Sequence, residues 1–325
     1  MKVLVKGAGV AGLTVAHELV ARGAVVTVAD TRRTMEATAS WFAGGMLAPY
    51  CERETAEHAV QDLGLGATAW WNRALPGSVA RKGTLVVSLA RDHGELERFA
   101  ARTTGFVRLR QEELAELEPD LGRFRQALYF ENEAHLDPRQ VLQQLEHKLA
   151  RLGVAFERSA ASAFDRVVDC TGSARIGSDP ALRGVRGEML VLHTPDIALS
   201  RPVRLLHPRF PLYVVPRASN HFMVGATMIE SEAAGRITAR SMMELLNAAY
   251  GLNPAFGEAE IVETGVGIRP AYPDNLPRVE RNGATISVNG LYRHGFLLAP
   301  SMAQKAADMI FDQEPAEEFR HEAHY

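Results

Sequence analysis

The stretch Lys2-Val3-Leu4-Val5-Lys6-Gly7-Ala8-Gly9-Val10-Ala11-Gly12-Leu13 decides the fold. Val3–Val5 is a short apolar run of the kind that forms a buried parallel strand. Gly7, Gly9 and Gly12 follow in the G-x-G-x-x-G spacing, and Leu13, Ala16, Leu19 and Val20 then recur at helical spacing. Gly23 ends that helix, Val25–Val28 reads as a second buried strand, and Asp30 stands just past it. Each glycine has a separate reason to be there. Gly7 permits a tight turn, Gly9 lets a pyrophosphate approach the backbone, and Gly12 lets the helix pack on the strand. The positive end of the helix that follows then faces the phosphates, with Val10 and Ala11 in the glycine segment before it. Asp30, with Thr31 and Arg32 beside it, is placed to accept hydrogen bonds from a ribose hydroxyl. Arg32 and Arg33 either contact adenine or phosphate or are solvated. The whole unit reads as a dinucleotide site, against the alternative of a glycine-rich turn with no ligand. By itself it does not choose between NAD and FAD.

Beyond this unit, residues 31–50 are small and polar and read as a loop packed close to something. Ala56–Leu75 is helical in pattern and carries Trp70 and Trp71, which read as packing residues. Gly83–Leu89 reads as a strand, Asp92–Thr103 and Gln111–Glu118 as helices, and Leu128–Phe130 as a short strand. Asp137–Leu152 is amphipathic, with Pro138 in its first turn. Val167–Gly172 is another buried strand running into a glycine. The character then changes. Gly187–His193, Leu212–Pro216, His221–Gly225 and Glu260–Gly267 look like strands of an antiparallel sheet, interrupted by a helix near Thr238–Tyr250. Thr285–Val288, a turn over Asn289–Gly295 and a helix over Ala299–Phe311 come last. Parallel α/β units at the ends and middle, with antiparallel strands between, predict an α/β fold, α+β overall. A Rossmann-like cofactor domain over 1–75, 137–185 and 265–325 interleaves with a mostly antiparallel substrate lobe over 76–136 and 186–264.

Composition narrows the function. At 325 residues with 46% hydrophobic and 23% charged residues, the chain is globular rather than disordered or coiled-coil. With 36 basic against 39 acidic residues and no basic block, nucleic acid is not an expected partner. Only five of the basic residues are Lys and 31 are Arg, so an Arg needs a specific context before it counts as functional. Two cysteines, Cys51 and Cys170, build neither a disulfide framework nor a zinc site, and His321 and His324 alone are a poor metal site. No metal is expected. With no signal-like segment and no run of 18 apolar residues, a cytoplasmic protein without a membrane association is expected.

Four later stretches, with the opening unit, carry a resemblance along essentially the whole chain. They are Ala43-Gly44-Gly45-Met46-Leu47-Ala48-Pro49-Tyr50 and Val168-Asp169-Cys170-Thr171-Gly172. Then come Leu212-Tyr213-Val214-Val215-Pro216 with Val224–Met228, and Gly267-Ile268-Arg269-Pro270 with Gly290–Pro300. In this order they resemble the D-amino-acid oxidase family of FAD-dependent amine oxidases, and within it the thiamine-pathway glycine oxidases.

The resemblance implies noncovalent FAD, because neither Cys51 nor Cys170 stands where sarcosine oxidases attach flavin. The cofactor-binding residues it implies are Gly7, Gly9, Val10, Ala11, Gly12, Asp30, Thr31 and Arg32. Further along they are Ala43, Gly44, Gly45, Met46, Thr171, Gly172, Arg269, Arg293, His294, Gly295, Phe296 and Leu297. The backbone from Gly295 to Leu297 opens a helix, and its N–H groups can stabilise negative charge on the reduced flavin. Arg269 matches the family arginine that binds the amino-acid carboxylate, as suits a planar guanidinium fork. Tyr213 matches the tyrosine whose hydroxyl reaches the same carboxylate, and otherwise packs in the second lobe. Arg293 either lines the active site, as in glycine oxidases, or makes a salt bridge at the domain junction. Met46, Tyr50 and Met228 are pocket candidates, with core packing the alternative for both methionines. The Pro49-Tyr50 pair is closer to eukaryotic-type D-amino-acid oxidases, which leaves the substrate size open.

The implied reaction is oxidative deamination of glycine or a small amino acid, with hydride passing from Cα to flavin N5. Oxygen reoxidises the flavin to give hydrogen peroxide, and the imine serves thiazole synthesis. No side-chain base is required. Partners are then a small amine substrate and oxygen, with homo-oligomers common in the family. The alternatives are a D-amino-acid, sarcosine or other secondary-amine oxidase or dehydrogenase of the same fold, a non-catalytic flavin-binding protein, or an NAD-dependent dehydrogenase.

Overall fold

The computed structural model describes residues 1–32, 35–160, 163–206 and 212–311. Arg33, His321 and His324 lie outside the described residues, as does the charged tail from 312 onward. The opening unit folds as its sequence reads. Lys2–Lys6 pairs in parallel with Val25–Ala29, and the helix Val10–Ala21 connects them. These strands sit in a six-stranded sheet. Its order is Arg278–Asn282, Thr285–Asn289, Arg166–Asp169, Lys2–Lys6, Val25–Ala29, Ala155–Glu157, with only the first pair antiparallel. Val3, Val5, Val26, Val28 and Val168 of this sheet and Leu13, Ala16 and Leu19 of the first helix form one core, into which the helices Pro138–Arg151 and Gly295–Ile310 also pack. Parallel strands covered on both faces read as apolar runs, which is why this sheet was legible.

The second sheet has nine strands. Eight run in the order Ile229–Glu230, Arg183–His193, His221–Gly225, Leu212–Pro216, Val203–Leu206, Thr84–Ser88, Gln126–Phe130, Val107–Arg110, and Glu260–Ala271 pairs along Arg183–His193. All its pairs are antiparallel except Val203–Leu206 with Thr84–Ser88. The helix Ala239–Leu252 covers it through Leu245, Ala248, Ala249 and Leu252, which pack with Leu190, Val214 and Val224. Two strands run past the domain boundaries expected from the sequence, Arg183–His193 across 185 and Glu260–Ala271 across 264.

Other elements also depart from their sequence reading. The helix expected over Ala56–Leu75 is two helices, His58–Gly64 and Ala67–Ala74. Gly64 and Gly66 flank the break, where glycine disfavours continued helix. The loop expected before Tyr50 contains a short strand, Met46–Leu47, and is followed by a turn of helix over Pro49–Glu52. The last helix begins at Gly295 rather than at Ala299, so Pro300 lies inside it. Proline cannot donate to the carbonyl four residues back, here that of Phe296. The Trp71 indole takes that place, donating from Nε1 to the Phe296 carbonyl at 2.8 Å. Trp70 likewise packs and donates to Glu18 at 2.6 Å.

Candidate active site

A cavity opens between the two sheets. Its floor is the dinucleotide unit. A Cβ at Gly12 would collide with the Gly7 carbonyl, and one at Gly7 would sit 2.6 Å from the Cys170 carbonyl oxygen, where Gly7 also has φ of +96°. At Gly9 the nearest neighbour of such a Cβ is Ser40 Oγ at 3.4 Å, so that backbone is left open to the cavity. Ser40 Oγ accepts from the Val10 N–H at 3.1 Å and steadies the helix start. The helix Gly295–Ile310 also points its N-terminus here, through His294, Gly295, Phe296 and Leu297. Two positive helix ends therefore converge on one space.

Val10, Ala11, Arg32, Ala43, Gly44, Gly45, Met46, Thr171, Gly172, Tyr213, Arg269 and Arg293 all line the cavity. A second cavity, bounded by Ala8, Asp30, Glu157 and Arg158, shares Arg32 and Thr38 with the first. The Asp30 carboxylate accepts from the Ala8 N–H at 2.6 Å and is gripped by the Arg32 guanidinium at 2.5 Å. Burial works against ionisation of Asp30, but these hydrogen bonds and the Arg32 charge prevail and hold its pKa below the usual value. Thr31 is exposed and lines neither cavity.

The far end of the main cavity holds the charges. Arg269, on the strand Glu260–Ala271, donates from Nη1 to the Thr227 carbonyl at 3.0 Å. Its guanidinium lies against Gly187, where a Cβ would overlap it. No acidic side chain among the described residues pairs with it. Burial and the nearby positive Arg293 lower its pKa, and the Tyr213 hydroxyl group is close enough to bear on it. Arg293 is different. Its Nη2 meets Glu52 Oε2 at 2.9 Å. Burial opposes the Glu52 charge, but Arg293, His294 and Arg204 outweigh it and bring the carboxyl pKa down to about 2. His294 Nδ1 stands 3.4 Å from the same carboxylate, yet burial drives its pKa down to about 4, so the ring is neutral at pH 7. Arg204, 1% exposed, lies behind Glu52 at 3.5 Å and over the Phe99 ring. Arg293 thus lines the cavity and is also salt-bridged, but its partner Glu52 belongs to the same segments expected to form the cofactor domain, so this pair does not span the expected domain junction.

Two pocket candidates fall elsewhere. Tyr50 packs with Ala48, Cys51, Phe99 and Phe130, its ring against Gly105, and does not line the cavity. Its neighbours Pro49 and Glu52 share one helical turn, which points Tyr50 and Glu52 in different directions. Met228 is 37% exposed and sits behind Arg293 and Tyr292, its sulfur accepting from Arg293 Nη1 at 3.5 Å. Glu52, Gly187 and Ser40 escaped the sequence reading. A lone Glu, Gly or Ser outside a motif carries no signal, and each acts only through a partner distant in the chain.

The donor set fits FAD. Glycine backbones and two helix starts suit a pyrophosphate, Asp30 and Arg32 lie in the adjoining cavity, and the small-residue loop Ala43–Gly45 forms one wall. A family model, FAD dependent oxidoreductase, matches residues 2–309. The chain belongs to that family. It is also 60% identical, over 98% of its length and 99% of the relative's, to a Rhizobium etli protein assigned as a thiamine biosynthesis oxidoreductase, ThiO. Its fold is that of glycine oxidase from Geobacillus kaustophilus, with a TM-score of 0.81, 23% identity, and coverage of 97% of this chain and 95% of that one. It is equally that of iminodiacetate oxidase from Chelativorans sp. BNC1, with a TM-score of 0.83, 23% identity, and coverage of 97% and 96%. The protein is therefore an FAD-dependent oxidoreductase with the mixed α/β fold that its sequence predicts.

Proposed function

We propose that the protein catalyses the oxidative deamination of glycine or a similarly small amino acid and supplies the imine for thiamine thiazole synthesis. One observation carries this reading: a guanidinium with no acidic partner among the described residues, Arg269, stands beside Tyr213 at the end of a cavity that fits a flavin. The likeness to the ThiO of Rhizobium etli supports the thiamine role. Bound FAD supplies a two-electron acceptor that takes hydride and passes the electrons to oxygen.

The chain's own residues do the rest. Arg269 receives the substrate carboxylate with its planar fork, and the Tyr213 hydroxyl donates to the same group. That leaves Cα and the amine facing the cavity interior. Glu52 is ionised and paired, and His294 is neutral and buried, so neither is free to act as a base near neutral pH. The amine therefore sheds its proton to solvent before reaction, and kcat/KM rises with pH through the alkaline range. Product imine is released to water or to the next enzyme, and hydrolysis gives the oxo acid and ammonia.

Noncovalent FAD is part of the reading. Cys51 and Cys170 are both buried, and burial raises both thiol pKa values, which disfavours a reactive thiolate. Denaturation in acid then releases yellow flavin into the supernatant. The division into a cofactor domain threaded around a substrate lobe, the cytoplasmic location and association into a homo-oligomer belong to the same reading. No helix among the described residues is long and apolar enough to cross a membrane. Light scattering reads the assembly state directly.

The decisive experiment mixes the flavin-loaded protein anaerobically with glycine, sarcosine and D-amino acids in turn. Bleaching by glycine, with peroxide formed when air is admitted, is the expected result. Bleaching only by sarcosine or a larger D-amino acid overturns the substrate, and no bleaching with any of them overturns the enzyme reading. Arg269→Ala is expected to raise the apparent KM for glycine on the order of 10- to 100-fold, the value of a charged hydrogen-bonded pair, with the bound flavin spectrum unchanged. Unchanged kinetics would remove Arg269 from the anchor role.

A further inference from the structure

The buried guanidinium of Arg217 lies outside both cavities of the cofactor site, yet it touches the wall of the one that Arg269 and Tyr213 line. Its Nη2 donates to the Gly44 carbonyl at 2.8 Å and, more weakly, to the Ala43 carbonyl at 3.4 Å. Its Nη1 reaches the Pro216 carbonyl at 3.4 Å and the Leu136 carbonyl at 3.5 Å. Its Nε stands 3.8 Å from Asp137 Oδ2, with the Arg217 side chain only 12% exposed. Asp137 is itself fixed, because its other oxygen caps the helix Pro138–Arg151 by accepting from the Arg139 N–H at 2.9 Å.

The targets matter more than the number of bonds. Ala43, Gly44 and Gly45 form the cavity wall. A Cβ on Gly44 would lie 2.8 Å from Tyr213 Cε2, so this loop sets where the Tyr213 ring rests. The Gly45 carbonyl accepts from the Leu136 N–H at 2.9 Å, which ties the loop to the residue before Asp137. Tyr213 lies on the strand Leu212–Pro216, and Arg217 directly follows it, four residues beyond Tyr213. Side chains alternate along an extended chain, so positions 213, 215 and 217 share a face. One strand thus delivers both a residue at the substrate end and a clamp on the loop in front of it.

We propose that Arg217 is a positioning residue that locks the flavin-facing loop Ala43–Gly45 to the substrate strand, and so sets both the flavin site and the placement of Tyr213. The inference rests on the proposed function for its substrate readout alone. Its cofactor readout stands independently. A buried guanidinium spreads its donors over several carbonyls at once, which neither lysine nor an apolar side chain reproduces.

The test compares Arg217→Met, Arg217→Lys and a control, Arg201→Met. Arg201 is another buried arginine, paired with Glu118 at 2.7 Å and donating to the Lys82 carbonyl, and none of these residues lines the cavity. FAD is titrated into each deflavinated protein by fluorescence quenching, and KM and kcat for glycine are measured at saturating FAD. Arg217→Met is expected to weaken FAD binding about tenfold and raise KM about fivefold with kcat within a factor of two. Arg217→Lys, which keeps the charge beside Asp137, is expected to weaken FAD about threefold and decides the matter if the methionine variant does not fold. Arg201→Met is expected to lower the melting temperature while leaving FAD binding within a factor of two. FAD binding unchanged in both Arg217 variants overturns the proposal, as does an equal loss of FAD affinity in Arg201→Met. Absence of glycine turnover in the unsubstituted protein defeats the substrate reading and leaves the FAD titration to judge Arg217.

Discussion

Replacing Gly187 by alanine tests the carboxylate anchor without changing any atom of it. Gly187 pairs with Gly267 across the two long strands, and its missing side chain leaves the space that the Arg269 guanidinium fills. A Cβ there would lie 2.5 Å from Arg269 Nη1 and nearer still to Cζ and Nη2. Ordinary carbon contacts begin near 3.5 Å, so the guanidinium must retreat by about 1 Å or more. The clash is with the far end of a flexible side chain, so the retreat costs little folding free energy. Alanine also suits a strand no worse than glycine does. The effect on catalysis is larger. A misplacement of about 1 Å in a positioning group is worth up to about 100-fold in rate, and losing one charged hydrogen bond is worth about 1.5–3 kcal/mol. Gly187→Ala is therefore expected to lower kcat/KM for glycine by about 10- to 100-fold, mostly through KM, with the melting temperature within about 2 °C of the parent. Steady-state peroxide assays over a wide glycine range, with thermal denaturation alongside, read both quantities. An unchanged KM in a well-folded Gly187→Ala protein would show that the position of Arg269 does not govern substrate binding.

Two other outcomes follow from buried polar groups. Trp71→Phe leaves the Phe296 carbonyl without its donor inside a helix that Pro300 already interrupts, and should cost about 1–3 kcal/mol in urea denaturation. Pro300→Ala restores a backbone N–H, so the same tryptophan change should cost less in that background, and equal costs in both would refute the compensation. Stability should also fall with acidity between pH 6.5 and 4. His17, His135 and His294 are held neutral by burial, each with its pKa down to about 4, so between those limits the unfolded chain binds protons that the folded chain does not. Glu133 opposes them, since burial raises its pKa to about 7 and the folded chain keeps that proton longer. Near pH 5.5 these four groups together give a net uptake of about two protons on unfolding. A urea midpoint that stays flat or rises from pH 6.5 to pH 5 contradicts this assignment.

The parts of the fold legible in the sequence are those whose causes are local. Gly7, Gly9 and Gly12 were readable because a turn, an open backbone and a tight helix contact each demand glycine within a few residues. The strand Val203–Leu206 was not readable, because Arg204 stands in the middle of it. That side chain is buried only because Glu52 and Glu54 neutralise it and Phe99 supports it, and all three are remote in sequence. Periodicity alone begins the last helix at Ala299, although the resemblance opens it at Gly295, where the structure starts it, and the reason is related. His294 caps it without a side-chain hydrogen bond, and Pro300 discourages reading helix before itself. The cavity wall shows the same contrast. Arg269 stood out through Gly267 and Pro270, whereas Glu52 acts only through Arg293, His294 and Arg204, which no spacing rule links to it.

The two arginines at the substrate end are not interchangeable, and the reason lies in their counter-charges. Arg293 is matched by Glu52, whose pKa of about 2 keeps the pair intact at any pH where the protein works. Its charge is spent inside the wall, where breaking the pair would leave a buried ion uncompensated. Arg269 has a backbone carbonyl and a glycine for neighbours instead of an acid among the described residues, so its charge remains available. Removing that charge from water is unfavourable until an anion arrives, and on the proposed function that anion is the substrate carboxylate. On the proposed function the cavity selects for one carboxylate at one place, and Glu52 contributes to that selectivity by keeping Arg293 from offering a second.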